Sequence, residues 1–381
     1  MSPRLKHIFR IASVFVLLYF FLVSIALMSA SFKLFGKGFA EQLISSCSNP
    51  FVGLFIGILA TSIIQSSSTT TSLVVGFVGG GMLPIGFAIP IIMGANIGTT
   101  ITNILVSLAF VTRKEDFRRA FAGATVHDFF NLCAVALFFP LELKFHFIQK
   151  SAVVLTRLFE GAGGVKITSP LKLIIDPAVH GIKHLMVDVA SMPKLSAGVI
   201  MLVMAFAVLI ASLIYLVKTM RILIIDKAEI FIDRYLFRND LTAILLGVLL
   251  TVLVQSSSVT TSLIVPLVGA GIVTLNRCYP FTLGANIGTT CTAILASLAT
   301  VSVASGGAAN TMGVTAAFAH LMFNMCGIAV FYPLKKIPIS LARGLANLAA
   351  EKKKWAVIFV LTVFFIIPLM MIMLTKGIYA K

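Results

Sequence analysis

Two stretches of hydroxyl and carboxamide side chains are set into otherwise apolar sequence: Gln65-Ser66-Ser67-Ser68-Thr69-Thr70-Thr71-Ser72-Leu73 and Gln255-Ser256-Ser257-Ser258-Val259-Thr260-Thr261-Ser262-Leu263. A second block, Gly94-Ala95-Asn96-Ile97-Gly98-Thr99-Thr100, returns letter for letter as Gly284-Ala285-Asn286-Ile287-Gly288-Thr289-Thr290. Both pairs share one offset, since 255 − 65 = 190 and 284 − 94 = 190. Hydroxyls, a carboxamide oxygen and freed backbone carbonyls are hard oxygen ligands suited to Na⁺. The same hydroxyls used as donors, together with backbone N–H groups at helix starts, suit an oxyanion.

No Arg or Lys is expected at mid-membrane depth in either repeat, so an anion there would be held by neutral donors, dipoles and co-bound cations. That argues for coupling to Na⁺. Asp128 is the acidic residue placed well within a spanning segment, and a carboxylate at that depth has a cation as its natural partner. Its neighbours His127 and Asn131 recur as His320 and Asn324, but Leu321 stands where the aspartate would be. A cation site belonging to repeat one alone follows.

These side chains must be positioned by membrane helices. The chain of 381 residues is 59% hydrophobic and 11% charged, and its mean hydropathy is +1.05, which excludes a soluble globular domain. Runs at 11–30, 196–217 and 355–374 are each long enough to cross a bilayer. The first is longer than a signal-peptide core and lacks a good cleavage site, so it is expected to stay as a helix. A net charge of +17 follows from basic short loops rather than from a nucleic-acid-binding stripe. Five cysteines without a C-x-x-C spacing read as free thiols, and the six histidines lack metal-ligand spacing.

Arg4, Lys6, His7 and Arg10 place the N-terminus in the cytoplasm. Helix 11–31 leads outward, and 50–83 forms two short arms joined at the Gln-Ser-Ser-Ser block. Fifteen helical residues span only ~22 Å against a ~30 Å core, so such arms fit a re-entrant hairpin. A broken helix over 85–111 ends at the basic cluster Arg113, Lys114, Arg118 and Arg119. Helix 120–140 returns outward, closing repeat one over 11–140. Residues 141–195 form an external connection with amphipathic pieces. Repeat two, 196–333, contains helix 196–217, an interfacial helix over 221–237, a hairpin at 241–273, a broken helix at 279–301 and helix 311–333. A basic segment follows, with Lys335, Lys336, Arg343 and Lys352–Lys354, and a terminal helix at 355–375 leaves the C-terminus outside. Three crossings per repeat invert the second relative to the first. In this reading Gly94, Gly98, Gly284 and Gly288 let the broken helices unwind and approach closely, and Pro90 and Pro280 end their first halves.

Packing is the alternative role for each of these features, because Ser and Thr commonly knit membrane helices together. Two copies at one offset, each followed by the same heptapeptide, argue against it here. For His127 and His320 packing is the preferred reading, and the Gly79-Gly80-Gly81 and Gly269-Ala270-Gly271 runs read as turns.

The duplicated Gln-Ser-Ser-Ser, the Gly-Ala-Asn-Ile-Gly-Thr-Thr partner and the run Phe117-Arg118-Arg119-Ala120-Phe121-Ala122-Gly123-Ala124-Thr125-Val126-His127-Asp128-Phe129-Phe130-Asn131 resemble the type II sodium-phosphate cotransporters, over about residues 10–375. The resemblance implies import of inorganic phosphate driven by the Na⁺ gradient. It also implies an all-α, inverted-repeat fold with two hairpins that moves in an elevator-like manner. Gln255, Ser256, Thr289 and Thr292 match one sodium site, and Asp128 matches an aspartate of electrogenic members. Ser66, Ser67, Ser68, Thr99, Ser257 and Ser258 match the phosphate region, which Gln65, Asn96, Thr100 and Asn286 of the same blocks complete. Apart from the coupling ion no cofactor is expected, and the partners are phosphate, Na⁺ and the lipid bilayer, not nucleic acid. The external stretch lacks an N-x-Ser/Thr sequon and a cysteine pair, and one helix follows repeat two. A bacterial-type member in the inner, or plasma, membrane is therefore expected. The rival readings are a Na⁺-coupled sulfate or dicarboxylate carrier, a passive anion channel, and a membrane enzyme, for which no activated nucleophile or metal cluster is evident.

Overall fold

The computed structural model describes residues 3–35, 49–162, 169–235, 239–303 and 311–379, and every regular element among them is helical. In chain order these are α1 (Pro3–Phe35), α2 (Pro50–Ile64), α3 (Ser67–Gly79), α4 (Ile85–Gly98), α5 (Ile101–Ser107), α6 (Lys114–Phe145), α7 (Phe147–Gly161), α8 (Ser169–His184), α9 (Lys194–Tyr235), α10 (Asp240–Val254), α11 (Ser257–Gly269), α12 (Leu275–Val303), α13 (Met312–Phe331), α14 (Lys336–Glu351), α15 (Lys354–Leu361) and α16 (Ile367–Tyr379). Seven stretches are long and apolar enough to cross a membrane: Ile8–Phe32, Ile85–Phe110, Lys114–Phe145, Lys194–Met220, Leu275–Val301, Met312–Phe331 and Lys354–Thr375. The chain is an all-α, multi-pass membrane protein.

The sequence duplication is written into the local structure. Asn49 caps α2 by accepting from the Phe51 N–H at 2.9 Å, with Pro50 at the first helical position. Asn239 caps α10 in the same place, accepting from Thr242 N–H in a capping box. Here too the offset holds, since 239 − 49 = 190. Pro at a helix start needs no N–H there, and Asn supplies the missing acceptor.

Short arms then turn at the glutamines. Gln65 and Gln255 adopt left-handed backbone angles, φ 56° and 58°, which end α2 and α10. Each donates its N–H to the carbonyl four residues back, Thr61 or Thr251, at 2.7 Å. Ser66 and Ser256 are extended and start the second arm, each accepting from the N–H three residues on. The Gln-Ser pair is thus a C-cap followed by an N-cap, a two-residue joint between helices.

Arms of one repeat pack in two directions. The first arms stay at home, α2 against α4 and α10 against α12. The second arms cross over, α3 onto α12 and α13, and α11 onto α5 and α6. A separate pair, α1 and α9, lies alongside α12 and α3.

Two expectations are corrected here. Repeat one is interrupted by a turn at Thr99–Thr100, but α12 runs unbroken from Leu275 to Val303, so 279–301 is not a broken helix. Pro90 and Pro280 lie inside α4 and α12 and end neither. The glycines serve closeness rather than unwinding. A Cβ on Gly94 would sit 2.0 Å from the Leu54 carbonyl oxygen, and one on Gly284 would sit 2.0 Å from that of Ile244. Gly57 and Gly247 are matched from the other side, 2.1 Å and 2.2 Å from the carbonyls of Ile91 and Phe281. Lipid is as apolar as a leucine side chain, so backbone-to-backbone packing of this kind stabilises a membrane helix pair where exclusion from water cannot.

Two further elements were read differently in the sequence. Residues 221–235 continue α9 instead of forming a separate interfacial helix. The basic segment after α13 is not a loop: α14 buries Ile339, Ala342, Ala346 and Ala349 and packs on α6. Residues 304–310, between α12 and α13, and Cys47 lie outside the described residues.

Candidate functional site

The polar blocks meet across the repeats. Ser258 Oγ on α11 donates to the Thr99 carbonyl at 3.3 Å, beside the α4–α5 turn. The Asn103 carboxamide and the Thr261 hydroxyl bond each other at 2.8 and 3.1 Å. These bonds tie the second arm of repeat two to the polar turn of repeat one.

Deeper, a crossed arrangement joins α6, α4, α12 and α13. His127 Nε2 on α6 is paired with Asn286 Oδ1 on α12. Its counterpart, His320 Nε2 on α13, lies 3.3 Å from Asn96 Oδ1 on α4. Within each repeat a second asparagine supports the first: Asn131 Nδ2 donates to the Asn96 carbonyl at 2.8 Å, and Asn324 Nδ2 to the Asn286 carbonyl at 3.3 Å. An amide oxygen only accepts, so Nε2 of each imidazole must carry the proton. A neutral ring then leaves Nδ1 as a bare acceptor, and Nδ1 of both histidines is buried without a hydrogen-bond partner among the described residues.

The symmetry is incomplete. Asn286 Nδ2 donates to Asn131 Oδ1 at 2.9 Å, whereas Asn96 Nδ2 turns back to the Ile92 carbonyl and Asn324 Oδ1 has no hydrogen-bond partner among the described residues. The first joint is open, with Gln65 exposed, while Gln255 at the second is buried. Gln255 Oε1 accepts from the Thr292 hydroxyl at 3.0 Å, and its Nε2 donates to the Val252 carbonyl at 2.6 Å.

Of the expected sodium-site residues, Gln255 and Thr292 are therefore brought together directly. Thr289 turns its hydroxyl to the Ala285 carbonyl, and Ser256 Oγ is engaged as the cap of α11. Asp128 sits elsewhere on the chain's path, on α6 next to His127. It is completely buried, and neither carboxylate oxygen has a hydrogen-bond partner among the described residues. An ionised carboxylate in such surroundings costs several kcal/mol unless a charge of opposite sign accompanies it. The site demands a cation or a proton.

Among the expected anion-site residues, Ser67, Ser68, Asn96, Thr99, Thr100, Ser257, Ser258 and Asn286 are all buried, Ser66 is half-buried and Gln65 is exposed. Thr99 and Thr100 hydroxyls return to the Ala95 and Ile97 carbonyls. The first-turn amides of α3 and α11, at Ser67–Ser68 and Ser257–Ser258, are the donors that a helix start leaves unused. Most of these side chains are buried, and the set reaches the surface at Gln65 and Ser66.

Four residues outside the sequence-based site set also bear on this geometry. Asn103 and Thr261 bridge the repeats, and Thr61 and Thr251, at the 190 offset, hold buried hydroxyls with no partner among the described residues. The duplicated position of the two threonines, four residues before each glutamine, was the available signal. His127 and His320 are partnered through Nε2 as packing histidines would be, yet each partner belongs to the opposite repeat.

Comparison with known proteins adds the following. The family described as Na⁺/Pi-cotransporter matches residues 20–161 and 208–371. Sodium-dependent phosphate transport protein 2B of Homo sapiens is 34% identical over 440 residues, covering 92% of this chain and 63% of that protein. The 2B protein of Pongo abelii is 34% identical with the same coverage. Sodium-dependent phosphate transport protein 2A of Mus musculus is 33% identical over 447 residues, covering 96% of this chain and 69% of that protein. The chain thus spans a little under two thirds of the length of the 2B proteins. No solved structure matches it significantly.

Proposed function

The chain belongs to the Na⁺/Pi-cotransporter family, and from that premise we propose that it is a Na⁺-coupled importer of inorganic phosphate whose transport moves net charge. The observation that carries the reading is the pairing of a buried, neutral, donor-rich core with the buried carboxylate of Asp128, neither oxygen of which has a hydrogen-bond partner among the described residues. A divalent anion in low dielectric needs compensating positive charge. Na⁺ can supply that charge, because it arrives with the substrate and leaves with it.

In this mechanism the amides and hydroxyls at the starts of α3 and α11 receive the phosphate oxygens, from Ser67 and Ser68 on one side and Ser257 and Ser258 on the other. Asn96, Asn286, Thr99 and Thr100 surround them, with Gln65 and Ser66 at the exposed joint. One Na⁺ is taken by Gln255 Oε1, Ser256, Thr289 and Thr292, whose hydroxyls exchange their present bonds for the ion. Asp128 takes a further Na⁺; because two Na⁺ only balance a divalent anion, the cycle moves net charge when this ion is the one added to a charge-balancing pair. The polar core and the crossed arms move together against the α1–α9 pair, exposing the site alternately. The N-terminus lies in the cytoplasm, the C-terminus outside, and the membrane is the plasma (inner) membrane. Relatives that are transporters favour a role without covalent chemistry.

Purified chain in proteoliposomes tests this. Uptake of labelled phosphate is expected only with an inward Na⁺ gradient, to be competed by arsenate and not by sulfate or succinate. Uptake that persists unchanged in choline at channel-like rates contradicts it, and competition by sulfate or succinate moves the substrate class.

A further inference from the structure

The end of the bundle that carries the basic segments holds a cavity of about 390 Å³ where α6, the turn after α11, the start of α12 and α14 come together. Its polar lining is Arg118, Arg119, Thr274, Arg343 and Asn347, with no acidic residue among the described residues that line it. Two of the guanidiniums have acidic partners on their own helix: Arg118 Nη2 to Glu115 and Arg119 Nη2 to Asp116, each at 2.6 Å. Arg343 has no acidic partner among the described residues. Arg343 is thus the guanidinium of this lining left without an acidic partner, and a bound anion would supply the missing charge.

The walls are held in place. Lys114 Nζ is 2.6 Å from Glu351, which ties the start of α6 to the end of α14. Arg119 Nε donates to the Gly269 carbonyl at 3.0 Å, fixing the last turn of α11. At the mouth Gly271 takes φ 78°, and an added Cβ there would lie 3.5 Å from Arg119 Nε. Gly271, whose positive φ disfavours a side chain, leaves that edge of the cavity open. Arginine forks of this kind match the paired oxygens of a phosphate group.

We propose that this cavity binds a phosphate-type oxyanion, either the monoester headgroup of an acidic lipid or a free phosphate ion, through Arg118, Arg119 and Arg343. The site is distinct from the polar core, contains none of its residues, and does not depend on the transport reading. Because the cavity abuts the turn that closes the second hairpin, the anion bridges α6 and α14 to that hairpin.

Titration calorimetry of the full chain in neutral detergent tests the proposal. The buffer is choline-based and free of Na⁺, so that the proposed Na⁺-dependent core site is not loaded. The probes are inorganic phosphate, dioctanoyl phosphatidic acid and, as a control, dioctanoyl phosphatidylcholine. At least one of the first two is expected to bind saturably and the control not to bind. Arg343→Gln should weaken that binding about tenfold, the size of one lost charge-assisted hydrogen bond. The exposed Lys336→Gln should leave it unchanged, and the melting temperature of both variants should equal that of the parent. Binding by phosphatidic acid alone assigns the site to a lipid headgroup, and comparable binding by inorganic phosphate assigns it to a soluble ion. Either upholds the proposal. Absence of saturable binding by both probes overturns it, as does a loss in Arg343→Gln no greater than in Lys336→Gln.

Discussion

His127 on α6 bonds through Nε2 to Asn286 on α12, a residue of the opposite repeat, and His320 repeats that relationship with Asn96 at 3.3 Å. Each repeat therefore completes the polar core of the other. The pairs are buried, so water cannot replace a lost partner, and the core is expected to respond as a unit.

A double-mutant cycle on His127→Ala and Asn286→Ala should show this as coupling. Each single change should lower the melting temperature of the purified chain. The double variant should lose about 1 kcal/mol less than the sum of the two. Strict additivity would mean that the bond contributes nothing to the folded state.

Asp128→Gly removes the buried carboxylate and with it the proposed site of a charge-carrying Na⁺. Phosphate uptake should persist at a reduced level while the charge moved per phosphate falls by about one elementary charge. Parallel tracer and current recordings measure the ratio. An unchanged ratio would exclude Asp128 from ion coupling.

The shared heptapeptide is predicted to work by backbone contact. Gly284→Ala places a methyl 2.0 Å from the Ile244 carbonyl oxygen, a backbone atom that cannot rotate away. A loss of at least about 1–3 kcal/mol is expected, read as a lower melting temperature and lower folded yield. Gly161→Ala, where nothing lies within 4 Å, serves as the control and should be neutral.

Acid sensitivity should have an identifiable source at Asp240. Burial alone would raise its carboxyl, but hydrogen bonds from Lys335 at 2.8 Å and Tyr332 at 3.2 Å, with the charges of Lys335 and Arg277, outweigh burial and hold it below the ordinary carboxylate value. A group lowered on folding stabilises the fold above its unfolded value, about pH 4, and loses that contribution as pH falls through the folded value. The melting temperature of the parent should therefore drop below about pH 4 more steeply than that of Asp240→Asn. Parallel curves would remove Asp240 from the acid response.

Much of this architecture was legible because it is written twice. The 190-residue offset located both hairpins, and apolar run lengths located the crossing helices. The continuity of α12 was not legible. Glycine within a helix can signal unwinding or a close neighbour, and only the carbonyls of Ile244 and Phe281 decide between them. Basic residues around 335–354 concealed α14, whose alanine face is recognisable once α6 is known to cover it. Likewise His320 lies at an offset of 320 − 127 = 193, not 190, so its exchange of partners with His127 needed tertiary structure to appear.

An experimental density map of the chain, prepared with Na⁺ and phosphate, is the most direct test of the central claim. Anion density bounded by the starts of α3 and α11, touching Ser67, Ser68, Ser257 and Ser258, is the predicted result. An anion bound away from both helix starts, or serine-bearing joints that face lipid with no common space between them, would contradict it.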